Sequence, residues 1–299
     1  MRRLLALVAG ATLFVASVAS AAEWQKLLTP AGLETLADDG GVTVLDIRSP
    51  REYATAHVPG AVNVPYPAWR GPKENPGKAL SDKALTAAMQ AGGLEPDSRV
   101  VITHAGINPT DFGAAARVYW TLKSAGLSEI AILNGGVRGW IAEGRELSVD
   151  PAKVEPSKAT FTLSDEWMVG RAEVTEIVAG ARQATLIDAR TPEFFKGEKK
   201  HAAAETPGTI PGSENFVYDS WFTASETEIS TGERIAELAA SAPGSDAAET
   251  VSFCNTGHWA AINWFALSEL AGRENVRLYP ESAVGWVNAG RPVEPEPKK

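Results

Sequence analysis

Val42-Thr43-Val44-Leu45-Asp46-Ile47-Arg48-Ser49-Pro50 returns later in the chain as Ala184-Thr185-Leu186-Ile187-Asp188-Ala189-Arg190-Thr191-Pro192. Val58-Pro59-Gly60-Ala61-Val62-Asn63-Val64 likewise matches Ile210-Pro211-Gly212-Ser213-Glu214-Asn215-Phe216. Gly139-Trp140 with Gly144-Arg145 matches Gly285-Trp286 with Gly290-Arg291. Three correspondences in one order mean two copies of one domain. The second copy carries an insertion, Gly197 to Pro207, in its first loop. Within it, Thr185–Asp188, Val251–Phe253 and Val276–Leu278 read as buried parallel strands, and Ala260–Ala271 as a helix ended by Gly272. Strands alternating with helices predict an α/β chain of two domains, each a mostly parallel sheet flanked by helices. Ligands of such sheets bind beyond the carboxyl ends of the strands. The expected division is a leader over 1–21, a first domain over 22–147, a linker over 148–157 and a second domain over 158–299. The proline-containing tail Pro292–Lys299 is expected to be loose.

Composition narrows the function. Of 299 residues, 44% are apolar and 22% charged, as in soluble globular proteins. The 28 Lys+Arg against 37 Asp+Glu leave a net charge of −9 and no basic run. Nucleic acid and anionic membrane surfaces are therefore excluded as partners. One cysteine rules out an internal disulfide and a Cys-based metal site. The four histidines, His57, His104, His201 and His258, form no i, i+3 or i, i+4 pair. Neither a metal nor a cofactor is expected.

The start of the chain reads as an export signal. Met1-Arg2-Arg3 precedes an apolar run, Leu4 to Val18, short of the roughly 20 residues a membrane span needs. Ala19-Ser20-Ala21 supplies small residues for cleavage, so the mature chain would start at Ala22 and be periplasmic, with no membrane contact after cleavage. An uncleaved anchor is the alternative.

A lone cysteine in an exported protein is either buried and inert or a thiol kept for use. Val251-Ser252-Phe253-Cys254-Asn255-Thr256-Gly257-His258-Trp259-Ala260 reads strand, short loop, helix. Backbone N–H groups of such a loop can converge on an anion, backed by the helix dipole. A thiolate is favoured there. No Asp or Glu lies between Cys254 and Trp259 to repel an anion, and Gly257 permits a positive φ. The plainer alternative is a small buried residue ending a strand.

Together these features resemble the tandem rhodanese-domain sulfurtransferases, the thiosulfate and 3-mercaptopyruvate sulfurtransferase family. The resemblance rests on Leu45-Asp46-Ile47-Arg48 and Ile187-Asp188-Ala189-Arg190, on His57-Val58-Pro59-Gly60-Ala61 followed by Asn63, and on the Gly-Trp and Gly-Arg pairs closing each half. It covers about residues 28–294. It implies a silent first domain and a second whose Cys254 takes sulfane sulfur as a persulfide. The donor would be a small anion such as thiosulfate, and the acceptor cyanide, a thiol or a protein thiol. Asn255, Thr256, Gly257, His258 and Trp259 match the loop that cradles the sulfur. Asp188 and Arg190 match the Asp-x-Arg motif, which either braces that loop or contacts substrate.

Val100–His104 aligns with the strand before Cys254, putting His104 or a neighbour at the cysteine position. Phe194 stands where the family places an arginine, and Asn255 and Thr256 are neutral where thiosulfate-type loops are basic. The loop is not the Cys-Gly-x-Gly-Val-Thr of mercaptopyruvate enzymes, and Thr209 replaces a histidine. Lys196 and a cationic His258 are candidates to restore the missing charge. Trp259 and Trp221 are candidates to roof the pocket, with core packing as the alternative. A cysteine phosphatase needs Cys-x5-Arg for bidentate oxyanion binding, and that position is Ala260. A partner-fed persulfide carrier, or a scaffold of two degenerate domains, are the non-enzymatic alternatives.

Overall fold

The computed structural model describes residues 24–295; the expected leader lies outside them. Among the described residues, nine strands form two sheets. The first contains β1 (Leu27–Leu28), β2 (Val42–Asp46), β3 (Val62–Asn63), β4 (Arg99–Thr103) and β5 (Ile130–Leu133), in the order β1-β5-β4-β2-β3. The second contains β6 (Thr185–Asp188), β7 (Glu214–Asn215), β8 (Thr250–Phe253) and β9 (Val276–Leu278), in the order β7-β6-β8-β9. Strand pairs within both sheets are parallel. The central strands are buried on both faces, which is why they read as apolar runs rather than alternating ones.

The register makes the two copies equivalent. Asp46 sits opposite Thr103 and Asp188 opposite Phe253. The next residues outward are His104 and Cys254, so His104 occupies the cysteine position of the first domain. In each copy an asparagine of the outer strand (Asn63, Asn215) donates to both carbonyls of the Asp-x-Arg motif.

The helix after each of these strands joins the domains. Pro109–Ser124 follows β4; Trp259–Trp264 follows β8 and continues as a π-helical segment, Phe265–Leu270. Phe112 and Tyr119 meet Phe265 edge-on, with ring centroids 5.7 and 4.9 Å apart. One apolar cluster runs from Leu45 and Ile102 through these rings to Trp264 and Leu278. Beside it, the Glu269 carboxylate accepts from the Tyr119 hydroxyl at 3.0 Å and from Lys123 at 2.8 Å, with Lys26 at 3.4 Å. Burial opposes its charge, but Lys123 and Lys26 outweigh that and hold its pKa below the ordinary value.

Residues 292–295 are a correction to the expected loose tail, whose last four residues lie outside the described ones. Thr209 and Glu294 exchange both backbone hydrogen bonds, at 2.7 and 3.0 Å, and the Trp286 indole donates to Pro292 O. Val293 is buried. Prolines 292 and 295 donate no N–H, but the intervening Glu294 supplies the bridge. The segment 148–157 is also held: Ser148 bridges His57, whose Nε2 lies 3.0 Å from Asp150 O.

A core shared by both domains predicts one unfolding transition in urea, with Glu269→Ala destabilising by about 2–4 kcal/mol through loss of a buried, paired carboxylate. Two resolved transitions would contradict this packing.

Candidate active site

Cys254 stands one residue beyond β8 and is 1% exposed. Its N–H donates to the Ser282 hydroxyl at 3.1 Å, and Ser282 donates to Tyr279 O. Each carbonyl of the loop is engaged. Cys254 O accepts from Ala283 N and Asn255 O from Val284 N, both at 3.0 Å. Thr256 O accepts from Arg70 Nη2 at 2.7 Å and Gly257 O from Arg117 Nη1 at 3.2 Å. His258 O accepts from Ala261 N. The N–H groups of Asn255, Thr256, Gly257 and His258 have no acceptor among the described residues. Asn255, Thr256 and Gly257 are themselves buried. An unpaired buried donor costs about 1–3 kcal/mol. A run of them is a site shaped for an anion. Gly257 makes the turn at φ +66°, where a Cβ would strike Pro280 O and the Arg117 guanidinium.

The corresponding loop of the first domain has four of its amides engaged by its own side chains. Gly106 N donates to His104 Nδ1, Ile107 N to Asp111 Oδ2, and Thr110 N and Asp111 N to Asn108 Oδ1. Burial pushes His104 down to about 4, so it is a neutral, enclosed side chain. That loop has no thiol, and its amides at 106, 107, 110 and 111 are already taken by its own side chains.

Asp188 and Arg190 form a buried fork. Arg190 Nε and Nη2 bind both oxygens of Asp188 at 2.6–3.0 Å, and Nη2 also donates to Gly208 O. Nη1 reaches Asn255 Oδ1 at 3.4 Å. Thr209, standing where a histidine was expected, donates its hydroxyl to Asp188 at 2.7 Å. This geometry matches the bracing role of the motif. Phe194 packs edge-on to Trp259 at 6.1 Å, giving that side an apolar wall. Lys196 is exposed at the end of the Pro192–Phe195 helix and makes no hydrogen bond to the loop.

His258 departs from the expected cationic role. Its Nε2 donates to Thr110 O at 2.8 Å and its Nδ1 accepts from the Tyr66 hydroxyl at 2.7 Å. Burial, with Arg70 and Arg117 nearby, pushes it down to about 3. It is neutral near pH 7 and fastens the loop to the first domain. Trp259 stacks on Tyr218 at 4.5 Å and donates to Thr110 Oγ1. Trp221 is a fully buried core residue bonded to Asn263, away from any roof.

A rhodanese-like domain is matched twice, over residues 29–143 and 171–289. The chain belongs to the rhodanese family. A relative from Mycobacterium tuberculosis, named "Putative thiosulfate sulfurtransferase SseB", is 31% identical over 89% of this chain and 95% of its own length. One from Mycobacterium bovis, "Putative thiosulfate sulfurtransferase 1", is 29% identical over 81% and 87%. A persulfide-bearing variant of EanB with ergothioneine superposes with a TM-score of 0.80 at 19% identity, covering 91% of this chain and 71% of that one. The anaerobic ergothioneine biosynthesis enzyme from Chlorobium limicola gives 0.78 at the same identity and coverage. The structural likeness shows the fold; the sequence relatives support sulfurtransferase activity in general.

Rhodanese motifs did not reveal the first-domain residues at this site: Tyr66, Arg70, Thr110 and Arg117. The repeat itself carries a signal for two of them. Tyr66-Pro67-Ala68-Trp69-Arg70 corresponds to Tyr218-Asp219-Ser220-Trp221-Phe222, so the first copy is basic where the second is apolar. Arg117 interrupts an otherwise apolar helical stretch, Ala114 to Trp120. Ser282 has no comparable signal.

A neutral His258 predicts that the pH–rate profile between pH 5 and 8 keeps its shape in His258→Gln. A wild-type limb near pH 6.5 that vanishes in the variant would show instead that His258 titrates there.

Proposed function

We propose that this rhodanese-family chain transfers sulfane sulfur from a small anionic donor, thiosulfate in the first instance, to a thiophilic acceptor through a Cys254 persulfide. The observation that carries this reading is the loop after Cys254, with its carbonyls engaged and its amides free. The Cys254 thiolate attacks the outer sulfur of thiosulfate. The S–S bond of the donor breaks, and sulfite leaves with its electron pair. A Cys254 persulfide anion remains. Cyanide, or a thiolate, then attacks the outer sulfur; the new S–S bond breaks and the Cys254 thiolate returns. Charge is conserved in both steps, and no cofactor takes part.

Asn255, Thr256, Gly257 and His258 stabilise negative sulfur through their backbone N–H groups in both steps. Asp188 and Arg190 hold the loop from the β6 side. Trp259 and Phe194 close it against water, which protects a persulfide in the periplasm, where Met1–Ala21 would direct the chain. Lys196 and the side chains of Thr256 and His258 have no part in the chemistry. A persulfide carrier serving a partner protein fits less well, because a residue 1% exposed admits a small donor more readily than a protein thiol.

Steady-state kinetics test this reading. Thiosulfate and cyanide are expected to give parallel double-reciprocal lines, the pattern of a two-step transfer. Cys254→Ser is expected to lose more than about 1,000-fold in rate. Full activity in that variant, or intersecting lines, would overturn the mechanism.

A further inference from the structure

The family position for a donor-binding arginine is Phe194 here, and Lys196 faces solvent. The second domain thus offers no cation to the donor from that segment, and its Arg190 is neutralised by Asp188. Yet two guanidinium groups do stand at the loop, and both come from the first domain. Arg70 leaves the Tyr66–Trp69 turn, lies 5.3 Å from the Tyr66 ring centroid and donates to Thr256 O. Arg117 is 1% exposed within its helix and donates to Gly257 O and to Gly77 O.

Neither has a carboxylate within salt-bridge distance among the described residues; their acceptors are neutral carbonyls. Most other buried or half-buried arginines of the protein are paired: Arg48 with Asp46, Arg182 with Glu173 and Glu249, Arg190 with Asp188. A buried cation without a counter-ion is costly and persists where an anion is to be held. Two further atoms point the same way. Arg70 Nη1 and Arg117 Nε are enclosed and have no acceptor. The charge of Arg70 also depresses proton binding by Arg117, His258 and His201, and no carboxylate offsets it at any of the three. Thr256 and Gly257, whose carbonyls the two guanidinium groups hold, stand two and three residues after Cys254, which places the thiol beside the same cluster.

We infer that the catalytically silent first domain supplies the positive charge of the donor site: Arg70, through its unpaired Nη1, receives the anionic end of the sulfur donor, and Arg117 positions the loop and supports the Cys254 thiolate. This rests on the sulfurtransferase reading of Cys254. It accounts for the neutral residues after Cys254 and for Phe194, since the charge that other members draw from the second domain arrives across the domain interface. It also assigns the donor class, a compact anion rather than a neutral polysulfide.

The test uses two alkylating reagents of nearly equal size and different charge, anionic iodoacetate and neutral iodoacetamide, on the full-length mature protein. The ratio of their rates at Cys254 reports local positive charge and needs no turnover. Wild type is expected to favour iodoacetate by about 10-fold relative to a free thiol. Arg70→Met is expected to abolish that preference, and Arg70→Lys to restore most of it. With thiosulfate, Arg70→Met is expected to raise KM by about 10-fold or more while kcat changes by less than about 3-fold. Arg117→Met is expected to lower kcat and slow alkylation by both reagents together. An unchanged reagent ratio in a folded Arg70→Met protein would overturn the inference. A preference lost in Arg70→Met, in a protein that turns over no thiosulfate, would uphold the inference and refute thiosulfate as donor.

Discussion

Hydrogen bonds to the carbonyls of residues 254–258 fix the polarity of the loop that starts at Cys254, and the candidate site follows from that polarity. A trans peptide holds its C=O and the next N–H on opposite sides. Carbonyls drawn to Ala283, Val284, Arg70 and Arg117 therefore turn the N–H groups of Asn255 through His258 the other way. Were the amides engaged inside the loop, as those of Gly106, Ile107, Thr110 and Asp111 are, they would not be available to an anion. The left-handed turn at Gly257 and the Asp188–Arg190 fork serve the same end. One gives the arginine room; the other fixes the edge of β6 and reaches Asn255.

This arrangement explains why a domain without a thiol accompanies one with a thiol. Two of the five carbonyl anchors are side chains of the first domain. Tyr66 and Thr110 also hold both ring nitrogens of His258. The helices Pro109–Ser124 and Trp259–Trp264 share one core, so the partners of the loop are fixed by the same packing that joins the domains. The two copies have diverged in a complementary way. The first has no thiol and engages its loop amides with Asn108 and Asp111; the second has an apolar Phe194 and, in the proposed site, takes its charge from its neighbour.

Local pattern made the fold legible. The duplicated Asp-x-Arg stretch, the strands Thr185–Asp188 and Val276–Leu278, and the helix after Cys254 stand within a residue of where periodicity puts them. Apolar runs bounded by turns report their own structure, and a repeat reports itself twice. The sequence also pointed to Cys254, through the thiol, the Gly257 turn and the absence of acidic neighbours. What it did not show depends on tertiary proximity. The His258 charge could not be foreseen, because the Tyr66 hydroxyl and the Thr110 carbonyl are remote in sequence. The tail up to residue 295 was misjudged because prolines suggest loose chain, whereas the pairing of Glu294 with Thr209 depends on a loop residue remote in sequence. Arg70 and Arg117 bear no family motif; comparison of one half with the other marks Arg70, and a charge inside an apolar helical stretch marks Arg117.

Whether the free amides around Cys254 hold anionic sulfur is best read from the intact mass of the mature protein, before thiosulfate, after it, and after subsequent cyanide. The expected result is a gain of about one sulfur mass on the thiosulfate-treated protein, removed by cyanide and absent in Cys254→Ser. No adduct with thiosulfate, mercaptopyruvate or polysulfide, in a folded protein with its thiol free, would contradict a persulfide cycle at this loop.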